Sequence, residues 1–227
     1  MSIKYTFIKI IPILFLLVLN ACQKEEPEDE RPAVSVSRTI IVYMAADNDL
    51  YEDAQVNLKQ MEQGFSKTGA RLVVFIDRMG ENPSLLEVHP NEATIVKSYP
   101  ELNSADPAVL KAIIQEAVDL FPAQEYGLIL WSHGSSWLPA GRGLRSFGED
   151  SGKRMNILDL AESLPVKFHF ILFDACLMGA VEVAYELQDK ADYIVASSAE
   201  IIYEGFPVEM IYKTLRWYRD AGIDYLF

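Results

Sequence analysis

Cysteine and histidine are the residue types here best suited to nucleophilic chemistry, and both are scarce: two cysteines and three histidines in 227 residues. A thiolate attacks carbonyl carbon near neutral pH, and a neighbouring imidazole can take and return the proton. Cys176 follows the apolar run 168–173 (FHFILF), and His133 follows the apolar run 126–131 (YGLILW). Each therefore stands just beyond a segment that reads as a buried strand. Gly134, after His133, leaves room for a substrate and presents a backbone N–H; the N–H of Cys176 is a second. Two such donors form an oxyanion hole. Cys176 is expected to open a helix over about 178–189, whose N-terminal partial charge would favour the thiolate. A small buried hydrophobe is the ordinary alternative for a lone cysteine.

Asp174 stands two residues before Cys176. In extended chain, side chains two apart face the same way, so its carboxylate belongs to the same rim. It has three open roles: orienting His133, accepting a basic substrate side chain in a charge-assisted hydrogen bond, or capping the next helix. The other two histidines read as structural. His89 lies in an exposed Glu-Val-His-Pro turn, and His169, between apolar neighbours, reads as packed against a helix or satisfied in the core. Trp131 and Trp137 flank His133, as shields of a site or as core.

Five runs read as strands: 39–44, 71–77, 126–131, 168–173 and 193–197. Helical patterns over 49–64, 107–120, 178–189 and 207–220 separate or follow them, and residues 84–98 read as an edge hairpin. Asp106-Pro107 is a helix start, with Asp as N-cap and Pro at the first helical position. Strands alternating with helices imply a mostly parallel sheet covered on both faces. Such sheets bind ligands beyond the carboxyl ends of their strands. The segments 45–49 (AADND), 132–134 (SHG) and 174–176 (DAC) fall there.

The N-terminus reads as an export signal. Lys4 and Lys9 precede a ten-residue apolar run at 10–19, shorter than the roughly 20 residues a bilayer requires. Leu19-Asn20-Ala21-Cys22 resembles the bacterial lipoprotein cleavage box, which makes Cys22 an acylated N-terminus. Residues 1–21 are then a signal peptide, 22–37 an acidic tether and 38–227 one domain. The tether holds five acidic residues between 23 and 32 and has no apolar surface to bury. An acidic run at that place resembles the surface-export signal of Bacteroidetes lipoproteins. A plain polar linker is the ordinary alternative, so the expected location is the cell envelope, with the chain lipid-anchored in the outer membrane and the cell surface as one of its two faces. With Cys22 acylated, Cys176 has no disulfide partner in the chain. The net charge of −13 and the lack of a basic block after the signal exclude a nucleic-acid partner and favour basic peptides.

The blocks 129–134 (ILWSHG), 173–179 (FDACLMG) and 196–207 (ASSAEIIYEGFP) resemble those of clostripain-family cysteine peptidases, and 41–50 (IVYMAADNDL) is similar to that family's first strand and loop. The resemblance implies a caspase-like three-layer α/β/α sandwich. It implies His133 as general acid/base, Cys176 as nucleophile and Asp174 in the pocket for the residue before the scissile bond. Cleavage of peptides and proteins after Arg or Lys follows from that. It also implies activation by a cut in the loop between the His and Cys strands, where Arg142, Arg145, Lys153 and Arg154 lie. Some members require calcium and others do not; here Asp47, Asn48 and Asp49 alone are too few to mark a calcium loop, so no cofactor is expected and calcium dependence stays open. Two departures stand out. Residues 197–204 match the family's pocket loop only loosely, with Glu200 and Glu204 as extra acids, and members usually run well past residue 227. A truncated domain is therefore an expectation. So is a catalytically silent lipoprotein that uses the same fold to bind a peptide or protein, or a non-peptidase hydrolase with the same pair.

Overall fold

The computed structural model describes residues 36–65, 70–135, 146–201 and 205. The expected signal peptide, Cys22, Trp137, Arg142, Arg145, Glu204, the expected helix at 207–220 and the tether as far as residue 35 lie outside them.

In chain order the described elements are β1 (Arg38–Ala46), α1 (Tyr51–Gly64), β2 (Ala70–Arg78), β3 (Ser84–His89), β4 (Glu92–Ser98), α2 (Pro107–Leu120), β5 (Glu125–Trp131), β6 (Ser146–Asp150), β7 (Lys153–Asn156), α3 (Ile157–Ser163), β8 (Phe168–Asp174), α4 (Val181–Leu187) and β9 (Ala191–Val195). Seven strands make one sheet in the order β4-β3-β2-β1-β5-β8-β9. β2, β1, β5, β8 and β9 run parallel, and β3 and β4 are antiparallel. The mostly parallel sheet of the sequence reading is therefore present, with the 84–98 hairpin on its edge.

β1 shows why the sheet must be covered on both sides. Ile41, Tyr43 and Ala45 enter one core; Ile40, Val42, Met44 and Ala46 enter the other. α2 gives the first core Leu110, Ile113, Ile114 and Ala117, one helical stripe. α1 gives the second Ala54, Leu58 and Met61, at helical spacing. Asp106 caps α2 as expected, accepting from the Ala108 amide at 2.8 Å.

Several expectations change. The helix expected over 178–189 is only Val181–Leu187, and the last strand is Ala191–Val195 rather than 193–197. The β6–β7 hairpin and α3 were not foreseen. The hairpin turns on Ser151 and Gly152, both left-handed at φ 50° and 76°, as a two-residue turn demands. His169 is no core residue: it is half-buried, edge-on to Tyr193 and 3.6 Å from Asp192 Oδ2, because it borders the edge strand β9. His89 is exposed at the end of β3, as read.

Candidate active site

Strand register brings the two candidate chemical residues to one rim. Met44 pairs with Trp131, and Trp131 with Asp174. His133 and Cys176 each lie two residues further on and so leave the sheet side by side, beyond its carboxyl edge, next to the end of β1 at Ala46. Gly134 shows how close the two loops lie: a Cβ there would stand 2.5 Å from the carbonyl oxygen of Cys176 and 3.1 Å from Cβ of Ala175. Only glycine permits that approach.

The His133 loop is held by the unforeseen hairpin. Gly148 N–H donates to the His133 carbonyl at 3.0 Å, Ser135 N–H to Ser146 at 3.1 Å, and Gly134 bridges Phe147. Buried Ser132 donates its hydroxyl to the Ala45 carbonyl at 2.6 Å and accepts from the Glu149 amide at 3.2 Å. One side chain thus ties β1, β5 and β6 together. Trp131 is buried core, its Nε1 donating to Asn57 at 3.2 Å, and does not shield the site.

His133 Nε2 lies 2.7 Å from Asp49 Oδ1. The hydrogen bond from His133 holds the Asp49 carboxyl below its ordinary range. The ionised carboxylate only accepts, so the proton of this contact belongs to Nε2. Asp49 was not singled out in the sequence as a partner of His133; its place just beyond the first parallel strand was the available signal.

Cys176 does not open a helix. It sits in a turn after β8, and non-helical chain separates it from α4. The helix-charge argument for its thiolate therefore lapses. The turn is instead clasped by the chain after β9. Leu177 N–H donates to Ala199 at 3.0 Å, and Gly179 N–H to Ser197 at 2.7 Å. Leu177 itself is left-handed, at φ 64°, a conformation that a bulky residue adopts only when its surroundings enforce it. The Ile201 N–H points at Sγ from 3.3 Å, and the Ile201 carbonyl lies 3.5 Å from the sulfur. Ile201 thus holds the sulfur between a backbone donor and a backbone acceptor, a contact that strand periodicity does not foretell.

Asp174 ends β8 and is buried. The backbone of Gly205 covers it: a Cβ on that residue would be 2.9 Å from Oδ2 and 3.0 Å from Oδ1. It does not cap α4, whose N-cap position is Ala180 without a side-chain cap, so that reading is withdrawn. Glu200 is exposed. Lys153 and Arg154 lie within β7, and Arg154 is ion-paired with Glu149; a paired strand is poor substrate for a protease. Asn48 is spent on its own loop, donating to Ala45 and Glu149. Among the described residues no three acidic, histidine or cysteine side chains gather into a group that could hold a metal ion.

The Clostripain family model matches residues 42–224. The chain belongs to the clostripain family. Clostripain of Hathewaya histolytica is 26% identical over 230 residues, covering 78% of this chain and 42% of that protein. A secreted C11 cysteine protease from Bacteroides thetaiotaomicron, solved with an irreversible peptide inhibitor, is 38% identical, with a TM-score of 0.69 over 79% of this chain and 53% of its own. An inactive zymogen C11 protease from Parabacteroides distasonis is 35% identical, with a TM-score of 0.69 over the same shares. This clostripain-family chain thus spans about half the length of the relatives it matches. Within it, the matched region takes in His133, Gly134, Asp174 and Cys176. No helix among its described residues is long and apolar enough to cross a membrane.

Proposed function

We propose that this chain is a cysteine endopeptidase that hydrolyses peptide bonds after Arg or Lys. The observation that carries the reading is the shared rim: Gly134 against the carbonyl of Cys176, with His133 beside it. The Cys176 thiolate attacks the carbonyl carbon and its proton passes to His133. The amides of Gly134 and Cys176 hold the resulting oxyanion. His133 then returns the proton to the departing amine, leaving a thioester on Cys176. Water, deprotonated by His133, hydrolyses the thioester and regenerates the thiol. The Ile201 backbone holds the sulfur in place between turnovers.

Asp174 supplies the preference for a basic residue. It is buried beneath Gly205 at the rim, where an entering guanidinium or ammonium gains a charge-assisted bond to a desolvated carboxylate. Residues 1–21 act as signal peptide, acylated Cys22 anchors the chain in the outer membrane, and 22–37 hold the domain away from the lipid.

A peptidyl acyloxymethyl ketone tests this directly. One ending in Arg should alkylate Cys176 in the purified full chain, with protection by an Arg peptide and no labelling of Cys176→Ala. Asp174→Asn should erase the advantage over an uncharged analogue. Equal labelling by both probes in the unsubstituted protein would overturn the basic pocket. Labelling elsewhere would overturn the nucleophile.

A further inference from the structure

We infer that Asp49 is a positioning residue: its carboxylate fixes the imidazole of His133 with the proton on Nε2, which leaves Nδ1 as the basic nitrogen. The inference deepens the proposed peptidase reading and rests on it for the consequence in catalysis, though not for the tautomer itself.

Three observations support it. The contact is short, 2.7 Å from Nε2 to Oδ1, and it is the main cause that lowers the Asp49 carboxyl below its ordinary, already acidic range. An ionised carboxylate cannot donate, so the pairing selects one of the two neutral tautomers. Second, stability alone does not explain the pair. The Asp49 side chain is 83% exposed, and exposed ion pairs contribute little to folding. Third, the loop that carries Asp49 is built rigidly. Asn48 is buried, donating to Ala45 at 3.0 Å and Glu149 at 2.6 Å while accepting from the Leu50 amide at 2.9 Å. Ser151 N–H binds the Asp47 carbonyl at 3.3 Å. The neighbours of Asp49 thus remove its backbone freedom in advance, and the carboxylate is offered to His133 from a fixed point. Orientation of a general base by a preset acceptor is worth far more to a transition state than to the ground state.

The competing role is structural. Asp49 lies next to the start of α1, whose N-cap Leu50 has no side-chain cap, so its charge could simply favour that helix end. The two roles separate experimentally. The first measurement is nitrogen-15 NMR of the His133 ring in a Cys176→Ala background, at a pH where the imidazole is neutral. It needs no activity, so it succeeds or fails independently of the peptidase reading. The expected result is the Nε2–H tautomer with Asp49 present and a mixture of tautomers in Asp49→Ala. The same Nδ1–H or mixed signal in both proteins would overturn the inference. The second measurement is kinetic, on an Arg peptide. Asp49→Ala should lower kcat at least about tenfold with KM nearly unchanged, and Asp49→Asn, which keeps an acceptor oxygen, should recover most of it. A fall in melting temperature with kcat preserved would assign Asp49 to the helix end instead.

Discussion

At the scale of single residues, the account depends on atoms that only just fit. Gly134 is the sharpest case. A methyl group there meets the Cys176 carbonyl at 2.5 Å and Met178 Sδ at 3.0 Å, and the first of these is backbone that cannot swing aside. Gly134→Ala must therefore push the His133 loop off the Cys176 turn. A displacement of about an ångström between reacting groups costs roughly 100-fold in rate. We expect kcat/KM on an Arg peptide to fall by about that factor while far-ultraviolet circular dichroism is unchanged. Unaltered kinetics would mean the two loops do not have to touch. His133, Gly134, Asp174 and Cys176 were all legible in the sequence, because each follows an apolar run that could only be a buried strand. Asp49 and Ile201 were not. Their importance rests on direction, on which ring nitrogen and which amide face the site, and strand periodicity carries no such information.

At the scale of elements, strands and helices with strong apolar patterns were readable, and the β6–β7 hairpin was not. Its sequence, SFGEDSGKRMN, buries the side chains of Ser146, Phe147, Asp150 and Met155, of which only two are apolar, so no apolar run marks it. The Ser151-Gly152 turn was its one local signal. α4 starts later than expected for a related reason: Met178 to Ala180 look helical in composition, but Leu177 and Gly179 donate to Ala199 and Ser197. The missed hairpin matters because it holds the His133 loop, and Ser132 is the staple between them. Ser132→Ala strands the Glu149 amide and leaves the Ala45 carbonyl with Asn48 as its side-chain donor, which costs about 1–3 kcal/mol. Urea unfolding should show a midpoint lowered accordingly with an unchanged m-value. A loss under about 0.5 kcal/mol would show that water or backbone adjustment replaces the staple.

At the scale of the whole molecule, buried charge predicts how stability follows pH. Asp77, fully buried at the carboxyl end of β2, has its carboxyl raised from 3.8 to about 7. Burial is the main cause, and Asp150, Glu101 and Asp47 add repulsion. The Ser104 hydroxyl opposes the rise without cancelling it; that hydroxyl and the Ser104 amide also reach Asp150 Oδ2, at 3.2 and 2.5 Å. The folded chain keeps this proton until about pH 7, and the unfolded chain loses it near 3.8. Between those values the folded state binds more protons, so this group's contribution to stability falls as pH rises, at up to roughly 1.4 kcal/mol per unit. Asp77→Asn, permanently neutral, should raise the melting temperature little at about pH 5 and clearly at about pH 8. A constant difference across that range would refute the raised carboxyl.

The central claim is that His133 and Cys176 form a working peptidase centre with a basic pocket. Hydrolysis of paired fluorogenic peptides ending in Arg or in an uncharged residue tests it most directly, using the purified full chain and its Cys176→Ala variant, each with and without calcium. The expected result is turnover of the Arg peptide, little turnover of its uncharged twin and complete loss in the variant, the calcium arm showing whether the ion is required. Absence of turnover by protein shown to be folded, or equal turnover of both peptides, would contradict it.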